Sequence, residues 1–417
     1  MGEAFRVAPA QLAGVGNFVG QSVDDYQRVM TLLGEGGTTE DFGGLMAALR
    51  GPVLTLNEST RTRWSDMGKS LGSISIGLRK SAWLFHDTDA DNADAFNKHV
   101  RYVGRTCGPE ETLATTELDP NDPSRKVDID AYPGAAGVGQ PTAIDVGSPP
   151  QNEPDIRGLI RSTAGWLADI DETVERLAHW SPIRQAIKPI SGNWEELRRI
   201  GQVYGKSGTA IGTIGNDVAT KTGALDATWD GKAAQAFFAY SRSTTQYIEW
   251  EAALGRMLRE GFDRAATEFQ NAVGAALRVT IEEFEKVISI KGKTGPVKWL
   301  AKALPGVGTA AQLADLGRAL VTIGREVLPL IQRVEQAVND FKAFIEFAQD
   351  PVGYLQKKGK AEIDARLQPY SDRLKEFRRK TQIAKDVVTL MTTSGLTGRE
   401  TNSYSPNLSS DAWEGVP

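Results

Sequence analysis

The sequence predicts an all-α fold: tandem long antiparallel helical hairpins forming a helical bundle, with a smaller helical module after them. Three observations predict it. Apolar residues recur at alternating steps of three and four over long stretches, the spacing of helices packed almost in parallel. Short alternating runs of β-branched residues are rare. Proline and glycine gather in a few places that cut the chain into segments.

Taken in order, the first helix is predicted from about Pro9 to Leu33, where Gly34-Glu35-Gly36-Gly37 ends it. In the second, Trp64, Met67, Leu71, Ile74, Leu78 and Phe85 form a heptad seam, and the helix is expected to run to about Tyr102. Residues 108–154 carry Pro120, Pro123, Pro133, Pro141, Pro149, Pro150 and Pro154, a composition that cannot continue a helix and has little to bury. They are expected to link two domains. Ile160, Leu167, Ile170, Val174 and Leu177 mark a further helix that must stop near Pro182. Ile200, Tyr204, Ile211, Ile214, Val218 and Leu225 mark the next. After Thr228-Trp229-Asp230-Gly231, an apolar stripe from Phe237 to Ile288 predicts one helix from about Lys232 to Ile290 with no proline inside it. Beyond lie shorter helices cut by Pro305, Pro329, Pro351 and Pro369. The expected division is a hairpin at 1–107, a linker at 108–154, a hairpin at 155–290, a helical module at 291–391 and a disordered tail at 392–417.

Composition narrows the function. Hydrophobic residues make up 40% and charged residues 24%, as in globular proteins, and the net charge is −5. The basic excess that phosphates demand is missing, so no nucleic-acid partner is expected. Cys107 is the single cysteine, and His86, His99 and His179 are the only histidines, which starves the usual metal and acid–base chemistries. No catalytic, cofactor-binding or metal-binding residue is expected, and the chain does not read as an enzyme. The first residues, MGEAFRVAPAQLAG, lack a basic segment followed by an apolar one, so no general secretory signal is expected. No apolar run approaches the ~20 residues of a membrane span.

Several short patterns read more simply than they look. Asp87, Asp89 and Asp91 have calcium-loop spacing, but Asn92 and Lys98 stand where a glycine and a bidentate glutamate are needed. Gly306-Val307-Gly308-Thr309-Ala310-Ala311 lacks the preceding strand of a dinucleotide fold. The basic stretch from Lys357 to Lys385 reads as a solvated helix face. The apolar face between Val297 and Val338 reads as bundle core.

The turn at Trp229-Asp230-Gly231 carries more. Glycine supplies a backbone conformation closed to other residues, the aspartate can cap the helix that follows, and the indole can cover the open end of a helical hairpin. With Lys232-Ala233-Ala234-Gln235-Ala236-Phe237 behind it, this turn resembles the Trp-X-Gly turn of the WXG superfamily, the helical-hairpin substrates of type VII secretion systems. A second likeness lies at the N-terminus. Phe5-Arg6-Val7-Ala8-Pro9 opens a helix, and Ala82, Asp89 and Ala93 match the helix ending of EspC-like secretion-associated proteins, with Phe85 where tyrosine is usual. The resemblance covers about residues 5–104 and 155–290. It implies a secreted, non-enzymatic effector or toxin carrier, virulence-associated in kind. Its partners would be the secretion ATPase of such an ESX-type system and small helical-hairpin proteins. Export would follow a signal-peptide-independent route from the cytoplasm. The family's Y-x-x-x-D/E export signal is matched by Tyr247 and Glu251, earlier after the turn than is usual. Two other readings stand beside this one: an intracellular helical scaffold or adaptor, and a membrane-active protein whose residues 297–340 meet a membrane surface.

Overall fold

The computed structural model describes residues 6–86, 100–105, 118–119, 122–154, 192–290, 310–361, 364–365 and 381–391. Most of these are helical. Helix α1 (Pro9–Gly34) and helix α2 (Arg50–His86) form the first hairpin, joined through short 3-10 turns at Glu35–Gly37 and Gly44–Leu49. Helix α3 (Trp194–Ala224) and helix α4 (Lys232–Ile290) form the second. Helices α5 (Ala310–Gln349), α6 (Pro351–Lys358) and α7 (Thr381–Met391) follow. At ~1.5 Å per residue, α4 is the spine of the molecule. Helices α2, α3, α5 and α7 all pack along it.

The predicted seams are the buried faces. Trp64, Met67, Leu71, Ile74 and Leu78 are buried on α2, and Ile200, Tyr204, Ile211, Ile214 and Val218 on α3. Phe237, Leu254, Leu258, Phe262, Phe269, Val273 and Leu277 are buried on α4. All belong to one apolar core, which also takes in Val334, Phe341 and Ile345 of α5 and Leu390 of α7. The tandem hairpins are therefore one body. The hairpins expected at 1–107 and 155–290 and the helical module expected at 291–391 share this core as one bundle.

Some boundaries differ from expectation. Helix α2 is described as far as His86, and Tyr102, its expected end, lies in a strand. Strands β1 (Val100–Arg105), β2 (Leu118–Asp119) and β3 (Asp122–Ile129) make a small antiparallel sheet in the order β1-β3-β2. Val100 pairs with Ile129 and Val103 with Lys126, and a bulge falls between Val103 and Arg105. Pro329 does not end a helix: α5 runs through it. Proline removes the bond to the carbonyl four residues back, and both Pro329 and Arg325 are exposed, so that carbonyl faces solvent. The helix at 160–177, the tail from 392, and His99, Cys107, His179, Pro305 and Pro369 lie outside the described residues.

The second half of the proline-rich linker is a strap without helix, laid along α1 and α3. The Ala136 N–H donates to the Ala10 carbonyl at 2.8 Å. Lys221 donates to the Val138 carbonyl at 2.7 Å, while its ammonium stands 5.4 Å from the centre of the Phe18 ring. Asp217 accepts from the Thr142 N–H at 2.7 Å, and Lys206 donates to the Gly147 carbonyl at 2.9 Å. Gly147's N–H and then Lys206 hold the Asp145 carboxyl below the usual carboxylate range. The near end of the strap is fixed to α2, where Trp83 donates to the Asp130 carbonyl and Arg79 to that of Ile129.

A row of glycines fixes how closely α3 meets α4. Gly201, Gly205, Gly208, Gly212 and Gly215 recur at steps of four and three, so they share one face. A methyl group on Gly208 would stand 2.8 Å from the Ala252 carbonyl oxygen, and one on Gly255 would stand 3.0 Å from Gly208 Cα. Backbone meets backbone there, and neither helix has a flexible side chain to yield. Gly208→Ala and Gly255→Ala should each lower unfolding free energy by about 1–3 kcal/mol, the cost of overpacking a close contact. Gly223→Ala has open space around it and should leave stability unchanged or raise it by about 0.4–1 kcal/mol. Urea denaturation of the three variants checks the contrast.

Candidate functional site

The Trp229 turn lies at the end of the bundle where the chain begins. Leu225–Ala227 form a last 3-10 turn of α3, and the N–H groups of Thr228 and Trp229 donate back to the Leu225 carbonyl. Gly231 has φ +96°, the left-handed region that side chains disfavour, and α4 starts at the next residue. The indole of Trp229 is 1% exposed. It sits among Phe237 at 5.2 Å, Phe238 at 6.0 Å and Phe85 at 6.4 Å between ring centres. Phe85 comes from the end of α2, so the two segments that carry the resemblances meet in one aromatic cluster.

Asp230 does something other than the expected capping. Its carboxylate accepts from the Arg6 N–H at 2.8 Å and from Arg6 Nε at 3.0 Å, while the Asp230 N–H donates to the Arg6 carbonyl at 3.0 Å. The chain's first described residue is thereby tied to the turn. Arg6's N–H, then its guanidinium, hold the Asp230 carboxyl below the usual carboxylate range. A carboxyl lowered on folding stabilises above its ordinary value, so this tie is complete at neutral pH. It is lost as pH falls through the lowered value.

Tyr247 and Glu251 are brought together, but inside the protein. Glu251 is 1% exposed. Its carboxylate accepts from Tyr247 Oη at 3.1 Å, from Arg63 Nε at 2.6 Å and Nη2 at 3.2 Å, and from Trp64 Nε1 at 2.9 Å. Arg63 also donates to the Gln349 carbonyl at 2.8 Å, so one carboxylate and its partners join α2, α4 and the end of α5. Burial works against the Arg63 charge, and the Glu251 carboxylate outweighs it, so the guanidinium pKa is raised. Glu251 is thus a buried, paired carboxylate at the junction of three helices.

A second buried ion pair closes the opposite end. Arg199, 3% exposed, donates to Glu196 through Nε and Nη2, both at 2.8 Å, and to the Glu35 carbonyl at 3.1 Å. Thr38 donates to Glu196 at 2.6 Å. Helix α3 begins beside it, with Asn193 accepting from the Glu196 N–H as N-cap. Sequence reasoning missed Arg63, Arg199 and Arg6. For Arg63 a signal existed: it flanks Trp64 in the α2 seam, where interhelical ion pairs form. Of the EspC-like helix ending, Ala82 is buried in the α2 seam, while Asp89 and Ala93 lie outside the described residues. No group of three or more metal-ligating side chains is found among the described residues. Comparison with family models, with curated proteins and with solved structures returns no match for this chain.

Two stability predictions follow from this geometry. Glu251→Ala should cost about 3–5 kcal/mol, because it leaves the buried Arg63 charge without its counter-ion. The double variant Arg63→Met, Glu251→Leu should recover much of that loss, since it removes both charges. Trp229→Ala should cost about 3–5 kcal/mol. Trp229→Phe should cost clearly less, because the indole N–H has no hydrogen-bond partner to lose among the described residues. Thermal melts followed by circular dichroism measure all four.

Proposed function

We propose that this chain is a substrate of a type VII secretion system, acting as a non-enzymatic targeting, carrier and interaction module. One observation carries the reading: Trp229 and Gly231 close two long antiparallel helices in the manner that the Trp-X-Gly resemblance implies, with the glycine at positive φ and the indole sealing the end. The arrangement beside it is in keeping, since the α1–α2 hairpin ends on the same aromatic cluster through Phe85. The partners on this reading are the secretion ATPase and small helical-hairpin proteins. The folded chain offers helix faces to them rather than a reaction centre.

Tyr247 and Glu251 enter this proposal with a condition. A receptor could read them as an export signal only after α2 and α4 part around Glu251, because that carboxylate is enclosed by Arg63 and Trp64. The membrane-active alternative draws less support. Ile323, Val327, Val334 and Val338 of α5 are buried inside the bundle, and among its described side chains Val321 and Leu328 are exposed, at 58% and 51%. No described helix is long and apolar enough to cross a membrane.

The test compares culture medium with cell pellet in a host with and without the secretion ATPase. The protein should reach the medium only where the ATPase is present. Retention in the pellet of both strains, with the protein folded, would overturn the proposal in favour of an intracellular scaffold.

A further inference from the structure

Helix α7 is 11 residues long and is the last described element of the chain. A helix of that length is marginal on its own in water, so its docking must hold it. Among its described side chains, Asp386, Val387 and Leu390 are buried against the bundle. Val388, between them, is 63% exposed.

The inward face is read by Arg256 of α4. Its Nε lies 3.0 and 2.9 Å from the two oxygens of Asp386, and its Nη2 lies 2.6 Å from Oδ1. Its Nη1 donates to the Gly208 carbonyl at 3.3 Å. All three guanidinium nitrogens are thus engaged. The glycine row makes the route. A methyl group on Gly212 would stand 3.0 Å from Arg256 Nη1, so the guanidinium lies in a notch against the bare α3 backbone. Gln382, one turn before Asp386, donates to the same carboxylate at 3.0 Å.

The notch has the parts of a recognition site. A planar fork held by a backbone carbonyl selects a carboxylate in a fixed orientation. The apolar positions one and four residues after that carboxylate select a helix, because only helical spacing places them on the same side. We infer that the notch of Gly208, Gly212 and Arg256 is a docking site for an amphipathic helix bearing an aspartate, filled here by the chain's own α7. It opens to a partner protein's helix of the same chemistry when α7 leaves. Helix α7 is then a latch, and its affinity in cis sets the threshold that a partner must exceed. This inference does not depend on the route of export.

The test uses the full-length chain and a fluorescein-labelled peptide of residues 379–393. The variant Asp386→Asn, Leu390→Ser should release α7, seen as loss of hydrogen-exchange protection over 381–391 with the helicity of the rest kept. The peptide should bind this open chain at least tenfold more tightly than wild type, whose notch is filled. A peptide carrying Asp386→Asn should bind the open chain at least tenfold more weakly than the native peptide. Adding Arg256→Lys to the open chain keeps the charge, removes the fork, and should weaken the native peptide by a similar factor without loss of helicity. Equal binding to wild type and open chain, no binding to an open chain that remains folded, or indifference to the aspartate would each overturn the docking site.

Discussion

Helices α3 and α4 touch through their backbones, and the rest of the bundle is arranged around that contact. Because the α3 face is a row of glycines, no side chains fill the seam between Gly208 and Gly255. Tyr204 and Phe262 then stack at 5.7 Å on one side of the seam, and Arg256 crosses the bare backbone on the other. Helix α4 is left with free faces, which α2, α5 and α7 occupy. Glycines within helices lower helical stability by roughly 1 kcal/mol each, so close approach must return more than that cost.

Polar groups in the core serve a different end. Glu251, Glu196 and Asp386 are each buried, and each is met by an arginine. Burying such pairs is a weak source of stability, because desolvation offsets much of the attraction. What they do well is reject wrong neighbours, since a helix slipped by one turn would leave a charge unpaired. Arg63 with Glu251 fixes α2 against α4, and Arg256 with Asp386 fixes α7 against α4; Arg199 and Glu196 pair within α3 and hold the α1 exit through the Glu35 carbonyl and the Thr38 hydroxyl. Tyr204, whose phenol burial pushes upward from its ordinary value, sits beside Asn57 of α2 in the same way.

Much of this was legible in the sequence, and what was not has physical reasons. The seams of α2 and α3 and the long stripe of α4 were readable because a helix face depends only on local spacing. The Trp229 turn was readable because its glycine answers a local backbone demand. The strap was not, because its proline and glycine content says only that it cannot be helix. What holds it is a set of partners far away in sequence: Ala10, Asp217, Lys221 and Lys206. Pro329 was misread because its effect depends on which side of α5 faces solvent. Two signals were present and passed over. Glu251 stands four residues after Tyr247 and three before Leu254, a seam position, which already placed its carboxylate indoors. The glycines of α3 follow the same steps of four and three, and so marked a close helix contact rather than only a weak helix.

Both hairpins, the strap and α5 should unfold as one body, because α2, α3 and α5 lean on α4 while α1 and the strap lean on α2 and α3. Native-state hydrogen exchange on the Gly208→Ala variant tests that most directly. The substitution touches only the contact between α3 and α4. If the body is one cooperative unit, the slowest amides of α1 and α2 should lose the same free energy of protection as those of α3 and α4. Unchanged protection in α1 and α2, with loss confined to α3 and α4, would contradict it and would show two hairpins that merely lie side by side.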